Sequence, residues 1–438
     1  MIQSTIHTLD LRGLQPTRAE LLNLIPRPVV NIAVASEAAE RLISEVRRDG
    51  EVALQRHAAA FDRVENVQVR VEPAEIAAAV AGLDPEVRSA LEASIDRVRR
   101  ASESQLHSPV TTTLSPGASV HQRWQPVDRV GLYVPGGKAA LSSSVVMNVV
   151  PAQVAGVPSI ALASPAQSDF GGRVHPTILG AAGLLGIDEV YVMGGASAIG
   201  ALAYGVPSLG LEPVDVVTGP GNIYVAAAKR LVRGVVGIDS EAGTTEILVI
   251  ADASANARFV AADLISQAEH DEAAASLLVT TSADFAAQVV RELDEQAAVT
   301  PNSARVREAL GGQQSAIVLV DDLATAARFS NAYGPEHLEI QTEDNSAVLS
   351  TITSAGAIFL GAHSPVSVGD YLAGSNHVLP TGGQARFSSG LGAYTFLRPQ
   401  QIIDYGRDAL EEVAAQVVAL SGAEALPAHG AAVTVRFS

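Results

Sequence analysis

Cysteine is absent from the 438 residues. That excludes disulfides, and with them any sign of an oxidising compartment. It excludes thiolate metal sites, so a bound zinc must be held by nitrogen and oxygen. It also excludes a thiolate nucleophile. Positive charge is sparse: 29 Lys and Arg stand against 47 Asp and Glu, for a formal charge of -18. No basic stripe for nucleic acid is visible, and an anionic membrane would repel such a surface. Acidity by itself names no substrate. Long apolar runs are lacking too; Gly, Pro or charge breaks each one well short of a spanning helix. The opening "MIQSTIHTLDLRG" has no basic segment followed by an apolar one, so no secretory signal is expected. A cytoplasmic enzyme is the reading that remains.

What is present points to an α/β protein. The length suggests two or three domains, and an apolar fraction of 47% with 37 Gly fits a large core rich in tight βα turns. Residues 1 to about 130 read as largely helical, as in "SEAAERLISEVRRDGEVALQRHAAAFD", with Gly50 as a stop. From Val130 short apolar runs alternate with helical stretches: "RVGLYVPGG", "SIALASP", "EVYVMGGASAIGALAYG", "VDVVTGPGNIYVAAAKRLV". This alternation predicts a parallel sheet covered by helices on both faces. It restarts at Thr245 with "TEILVIAD", "SLLVTTS", "SAIVLVD" and "AGAIFLG", so a second sheet domain begins near "GIDSEAG". A Gly/Ser-rich region, "VSVGDYLAGSNHVLPTGGQARFSSGLGAYTF", is too long to be a mere connector. The tail reads as a helix, a loop with Glu424 and His429, and a strand-like "AAVTVRF".

Three glycine turns, "VPGGK", "VMGGAS" and "VTGPGN", each follow a strand and precede a helix. Glycine there lets backbone N–H groups approach an anion at a helix N-terminus. None matches the G-x-G-x-x-G fingerprint, but three in one domain favour a nucleotide site at the strand C-termini. In "ADLISQAEHDEA", Ala261, Leu264, Ile265 and Ala268 would face a core. Gln267 and His270, three apart, would lie on the other face and could reach one point. With Asp370 and His429 they would offer two nitrogens and two oxygens, a set suited to zinc, with manganese or cobalt as replacements. Spacing does not show that they converge, and His363 and His377 compete. Glu336 and His337 follow the Gly334–Pro335 turn and could supply two bases of different strength. On a strand they would point to opposite faces, so the turn must aim both. His7, His57, His107, His121 and His175 read as structural.

Six stretches, in order, resemble the histidinol dehydrogenase family: "VGLYVPGGKAALSSSVVMNVVPAQVAGV", "VTGPGNIYVAAAKR", "AGTTEILVIAD", "DLISQAEHD", "AYGPEHLEI" and "SVGDYLAGSNHVLPTGG". The resemblance spans nearly the whole chain. It implies oxidation of L-histidinol to L-histidine through L-histidinal, with two NAD reduced, at the end of histidine biosynthesis. It implies one zinc per subunit, held by Gln267, His270, Asp370 and His429, and a catalytic pair, Glu336 and His337. Thr245, Glu424, His337 and the metal ligands match substrate-contacting positions; Tyr133 and Asn222 match NAD-contacting ones. Ser197 stands where the family often has Gln. The implied fold is two incomplete Rossmann-type, aldehyde-dehydrogenase-like parallel-sheet domains with helical N- and C-terminal dimerisation segments. The implied division is an arm at 1–25, a catalytic domain of 26–130 with 245–390, an inserted NAD domain at 131–244, and a dimerisation tail at 391–438. In the implied homodimer the tail crosses over, so Glu424 and His429 serve the partner's site.

Without a thiol, an aldehyde must be oxidised through its hydrate rather than a thiohemiacetal. Glu336 is then the candidate to activate water, and His337 the proton acceptor in both oxidations. A zinc hydrolase using Glu336 as base is a rival, as is a dehydrogenase of a related amino alcohol. A non-catalytic binding protein on the same scaffold is a third.

Overall fold

The computed structural model describes residues 6–24, 27, 32–136, 140–241 and 243–438. Gly137 and Lys138 of the first glycine turn lie outside the described residues. Strand β1 (His7–Asp10) is followed by helices, then by an antiparallel hairpin of β2 (Val110–Ser115) and β3 (Ala118–Pro126). The next five strands are β4 (Arg129–Tyr133), β5 (Ser159–Ser164), β6 (Val190–Val192), β7 (Val216–Thr218) and β8 (Gly237–Ile238). They form a wholly parallel sheet in the order β6-β5-β4-β7-β8. The following five are β9 (Glu246–Ala251), β10 (Ala275–Thr280), β11 (Ala316–Leu319), β12 (His337–Gln341) and β13 (Ala357–Leu360). With β1 they make a second parallel sheet, β1-β11-β10-β9-β12-β13. Finally β14 (Leu397–Tyr405) pairs antiparallel with β3.

The two parallel sheets follow from their sequences. Every residue of β9 and β10 is buried, as expected of Val/Ile/Leu runs covered by helices on both faces. Side chains alternate across the sheet. Ile247 and Val249 join the core under the helix Ala257–Ala268, while Leu248 and Ile250 pack on the other side with Phe329 and Tyr333.

Several expectations are corrected. The helices of residues 32–103 pack mainly on the five-stranded lobe, and they touch 245–390 where Ser94 Oγ donates to the Tyr371 carbonyl at 2.7 Å and Arg97 to that of Leu372 at 3.3 Å. The helix Ile32–Asp49 packs on helices Gly195–Tyr204 and Ile223–Val232, Pro73–Ala81 on Pro176–Leu184, and Pro85–Glu103 on Ser142–Ala155. All of these partners belong to the five-stranded lobe. The cause is the lobe's own composition. In Gly195–Tyr204, every residue from Ala196 to Ala203 is buried, so this helix needs an outer layer as well as a sheet. The approach is close: a Cβ on Gly200 would lie 3.1 Å from Ile43 Cγ1. The region 1–130 is not only helical, because β1, β2 and β3 lie within it. The first of these is no free arm but the edge of the six-stranded sheet. Nor is 391–438 wholly a tail: Leu391, Ala393 and Phe396 are buried in the core of the five-stranded lobe. The strand-like "AAVTVRF" continues a helical hairpin, Arg407–Ala423 with Pro427–Thr434. The β propensity of its Val and Thr yields to that packing.

Candidate active site

The strand order places one crevice in the five-stranded lobe. The chain runs outward from β4 through β5 to β6, then returns to add β7 and β8 on the other side. The reversal point, outside the C-terminal ends of β4 and β7, is where such sheets bind ligands. Tyr133 ends β4 there, and the Gly219–Pro220–Gly221–Asn222 turn leaves β7. Gly219 has φ +122°, and a Cβ on it would sit 1.9 Å from the Tyr133 carbonyl oxygen; only glycine fits. A buried ion pair pins this turn. Lys229 Nζ donates to the Gly219 carbonyl at 3.0 Å and pairs with Asp239, whose Oδ2 accepts from Gly219 N at 2.9 Å. Asn222 caps the next helix, accepting from Tyr224 N and Val225 N, and is exposed at the crevice mouth. Tyr133 is buried, and its Oη accepts from Gly195 N at 3.2 Å. Burial pushes the phenol up to about 12, so it stays neutral. Ser197 is also buried; its Oγ meets His57 Nδ1 at 2.8 Å. That hydroxyl serves the protein's own packing rather than facing the crevice freely.

A second cluster forms at the N-terminal ends of β9 and β12. Glu336 immediately precedes β12 and His337 begins it, so the two are not bound to opposite faces. Both are buried, with His337 Nδ1 3.6 Å from Glu336 Oε2. Glu336 Oε2 accepts from Thr245 Oγ1 at 2.6 Å and from Glu246 N at 2.9 Å. Burial nonetheless pushes its carboxyl up to about 8, against the pull of those hydrogen bonds. His337 Nδ1 lies 3.2 Å from the Glu246 carbonyl, an acceptor, so this nitrogen carries the proton and Nε2 is left as a base. Burial depresses the imidazole's basicity, which keeps it neutral.

The helix Ala257–Ala268 brings in Gln267, and His270 follows just past its end. Gln267, on the polar face of this helix, is nonetheless buried. Its Nε2 donates to Thr245 Oγ1, while its Oε1 is buried with no hydrogen-bond partner. His270 Nε2 lies 4.0 Å from Asp370 Oδ2. Asp370 is fixed from behind by His377, whose Nδ1 donates to the Asp370 carbonyl at 2.9 Å and whose Nε2 meets Ser144 Oγ at 3.0 Å. Both His377 nitrogens are thus engaged, and burial lowers its pKa to about 4. It is a positioning residue, and it ties this site to the five-stranded lobe. His57, His121 and His175 likewise have local partners, and His107 stacks on Trp124. Glu424 and His429 are exposed on the C-terminal hairpin, and no contact joins them to the cluster within one chain.

The spacing of motifs did not reveal the support under Glu336. Glu246, an acid at the head of an apolar strand, is ion-paired with Arg27 at 2.6 Å and accepts from Tyr333 Oη at 3.0 Å. Burial pushes it up to about 7. An acid at the head of the apolar run in "TTEILVIAD" was the available signal. The same holds for Glu339, which shares the face of β12 that carries His337. It is fully buried and pushed up to about 9, by burial first and then by the charge of Asp263. A folded-state pKa above the unfolded value of an acid means stability that is present at low pH and lost as pH rises toward 9. Glu339→Gln should therefore gain on wild type between pH 5 and 9, by up to about 1.4 kcal/mol per pH unit. Urea unfolding across that range checks this; identical pH slopes in both proteins would count against it.

Two parallel α/β lobes, with a glycine-lined crevice at the switch point of one and a buried Glu–His pair in the other, define a two-lobed α/β protein with a crevice of the kind that takes nucleotides. The comparisons give the particular family. The histidinol dehydrogenase family model matches residues 25–437. The chain is 68% identical over 432 residues to histidinol dehydrogenase of Leifsonia xyli subsp. xyli, covering 99% of each. It is 55% identical to that of Nocardia farcinica, covering 98% of this chain and 97% of the other. The crystal structure of histidinol dehydrogenase from Elizabethkingia anophelis superposes with a TM-score of 0.93 at 34% identity, covering 100% and 99%. The chain belongs to the histidinol dehydrogenase family, and it is an NAD-dependent oxidoreductase.

Proposed function

We propose that this chain oxidises L-histidinol to L-histidine through L-histidinal, reducing two NAD, in a zinc site that two copies of the chain complete. The observation that carries the reading is Gln267 Oε1, a buried acceptor with nothing to accept from, on the last turn before His270, whose Nε2 lies 4.0 Å from Asp370 Oδ2. A buried unpaired amide oxygen is costly, and a cation would satisfy it. Gln267, His270 and Asp370 offer two oxygens and a nitrogen, which fits zinc. Among the described residues of one chain, no group of three His, Asp or Glu is placed to hold a metal. Three protein ligands leave a zinc site open to a fourth, and His429 of a second copy is the candidate, with Glu424 beside the substrate. Exposed apolar residues on β14 and the C-terminal hairpin, Ile403 at 71%, Leu420 at 67% and Val435 at 63%, support a second copy covering that region.

Bound zinc would supply a fixed positive charge that orients the imidazole and amine of histidinol, and bound NAD would take the hydride. The chain's residues do the rest. As the first hydride leaves the carbinol carbon, His337 Nε2 takes the hydroxyl proton. His337 passes that proton to bulk water, and a water molecule then adds to the aldehyde, giving up a proton to the carboxylate form of Glu336, which prevails above about pH 8. His337 accepts a second hydroxyl proton as hydride leaves the hydrate, and the carboxylate is formed. Thr245 and the Glu246 amide hold Glu336 in place throughout. A zinc hydrolase would have no use for the crevice at β4 and β7. Tyr133 and Asn222, at that crevice, are the residues assigned to NAD contact. Ser197, already bonded to His57, is the weakest of the three cofactor positions. A role in histidine biosynthesis suits the cytoplasm.

Mixing two inactive variants tests the shared site. Asp370→Ala and His429→Ala should each lose activity as pure proteins. Denatured and refolded together, they should recover roughly a quarter of wild-type turnover, since half the dimers are mixed and one of their two sites is intact. No recovery, or full activity of His429→Ala alone, would overturn the shared site. Zinc bound per chain, measured on the same samples, should fall in both parents.

A further inference from the structure

In sheets of this kind a carboxylate at the C-terminal end of the second strand commonly accepts hydrogen bonds from the adenosine ribose. Here the second strand is β5. It runs out into Pro165, Ala166 and Gln167, which carry no acid. The position is filled from elsewhere. The segment Ala58–Asp62 is a π-helix, a rare form that is concentrated at functional sites. It ends on Asp62, whose carboxylate accepts from Ala166 N just past β5. Asp62 Oδ2 would lie 3.7 Å from a Cβ on Gly194, at the turn that leaves β6. It is also close enough to Tyr133 to raise that phenol's pKa. Asp62 therefore stands where β5, β6 and the end of β4 meet. Among the described residues no Lys or Arg is paired with it, and burial pushes it up to about 6. At the same strand end, Ser164 Oγ is wholly buried without a hydrogen-bond partner.

We propose that Asp62 accepts a ribose hydroxyl of the dinucleotide and, through its negative charge, rejects the form carrying a 2′-phosphate. The proposal rests on the reading of the β4–β7 crevice as the NAD site. A carboxylate with no neighbouring cation suits a hydroxyl donor and repels a phosphate dianion. The residue is delivered by a helix about a hundred positions before the strand end it serves, which is why spacing along the chain does not reveal it.

Steady-state kinetics with NAD and with NADP, at saturating histidinol, test this on wild type, Asp62→Asn, Asp62→Ser and Asn222→Ala. Asp62→Asn keeps an acceptor at the same reach and loses the charge; Asp62→Ser loses the charge and pulls its acceptor oxygen back out of reach. In both Asp62 variants the kcat/KM ratio of NADP to NAD should rise by roughly ten- to a hundredfold. Asp62→Ser should also raise KM for NAD, with KM for histidinol unchanged. A merely structural role would lower both cofactors' kcat/KM together and leave the ratio where it was, which overturns the proposal. Asn222→Ala separates the two readings. If it raises KM for NAD while the Asp62 variants leave the ratio unmoved, Asp62 alone is misassigned. If it leaves KM for NAD untouched, the crevice itself is misassigned and Asp62 falls with it. Thermal melts of the variants confirm that the lobe is folded in each case.

Discussion

His337→Asn should lower kcat for both oxidations by about 10²–10⁴-fold, the range for loss of a positioned general base. The Glu246 carbonyl holds the proton on Nδ1 at 3.2 Å, so Nε2 is the only ring nitrogen able to accept another. Asparagine can replace the hydrogen bond to that carbonyl but not the base. Zinc content and KM for NAD should stay near wild type, because neither the metal-facing residues nor the crevice is touched. Glu336→Gln should divide the reaction. Asparagine at 337 slows both halves, whereas glutamine at 336 keeps the packing and the Thr245 contact and loses only the group that takes a proton from water. NADH formed from histidinol with an aldehyde trap present should be nearly normal, and NADH formed from added histidinal should be lost. Equal losses in both assays would sink this division of labour.

Lys229→Met should be the most damaging change away from the chemistry. Lys229 is 1% exposed, and with Asp239 it grips Gly219 at both its N–H and its carbonyl. Removing the ammonium leaves Asp239 buried and unpaired, a loss of about 3–5 kcal/mol. The turn that approaches Tyr133 would lose its anchor, so KM for NAD should rise while KM for histidinol moves little. Chemical denaturation and the two KM values report this. Gly219→Ala should give the same cofactor defect through a clash with backbone rather than loss of charge. Wild-type stability in Lys229→Met would show that the ion pair is dispensable.

The two sheets were legible because their strands are short apolar runs punctuated by glycine turns. The same pattern pointed to a switch-point crevice, which the strand order locates outside β4 and β7. Within one chain Thr245 links Glu336 to Gln267, His337 lies 3.6 Å from Glu336 and His270 4.0 Å from Asp370, a proximity that spacing alone could not show. Periodicity could not say which lobe the N-terminal helices cover, because an amphipathic stripe announces burial and not its partner. It misjudged β2, whose Val110–Leu114 run is exposed and polar in its Thr residues. It put Gln267 on the polar side of its helix but could not say that this side faces Thr245 and Glu336 rather than water. Arg27, Glu246 and Tyr333 meet only through tertiary contact, and no local rule joins them.

The edge position of β1 constrains how the molecule is made. His7–Asp10 pairs with Ala316–Leu319, so the first strand to leave the ribosome must wait for one of the last. The lobe built from 32–238 can gather most of its core while synthesis is still under way, and Leu391, Ala393 and Phe396 complete that core near the end. The other lobe cannot be finished until β11 has met β1 and β13 has met β12, because its earliest strand has no neighbour before then. The five-stranded lobe is thus largely gathered before the six-stranded sheet can close.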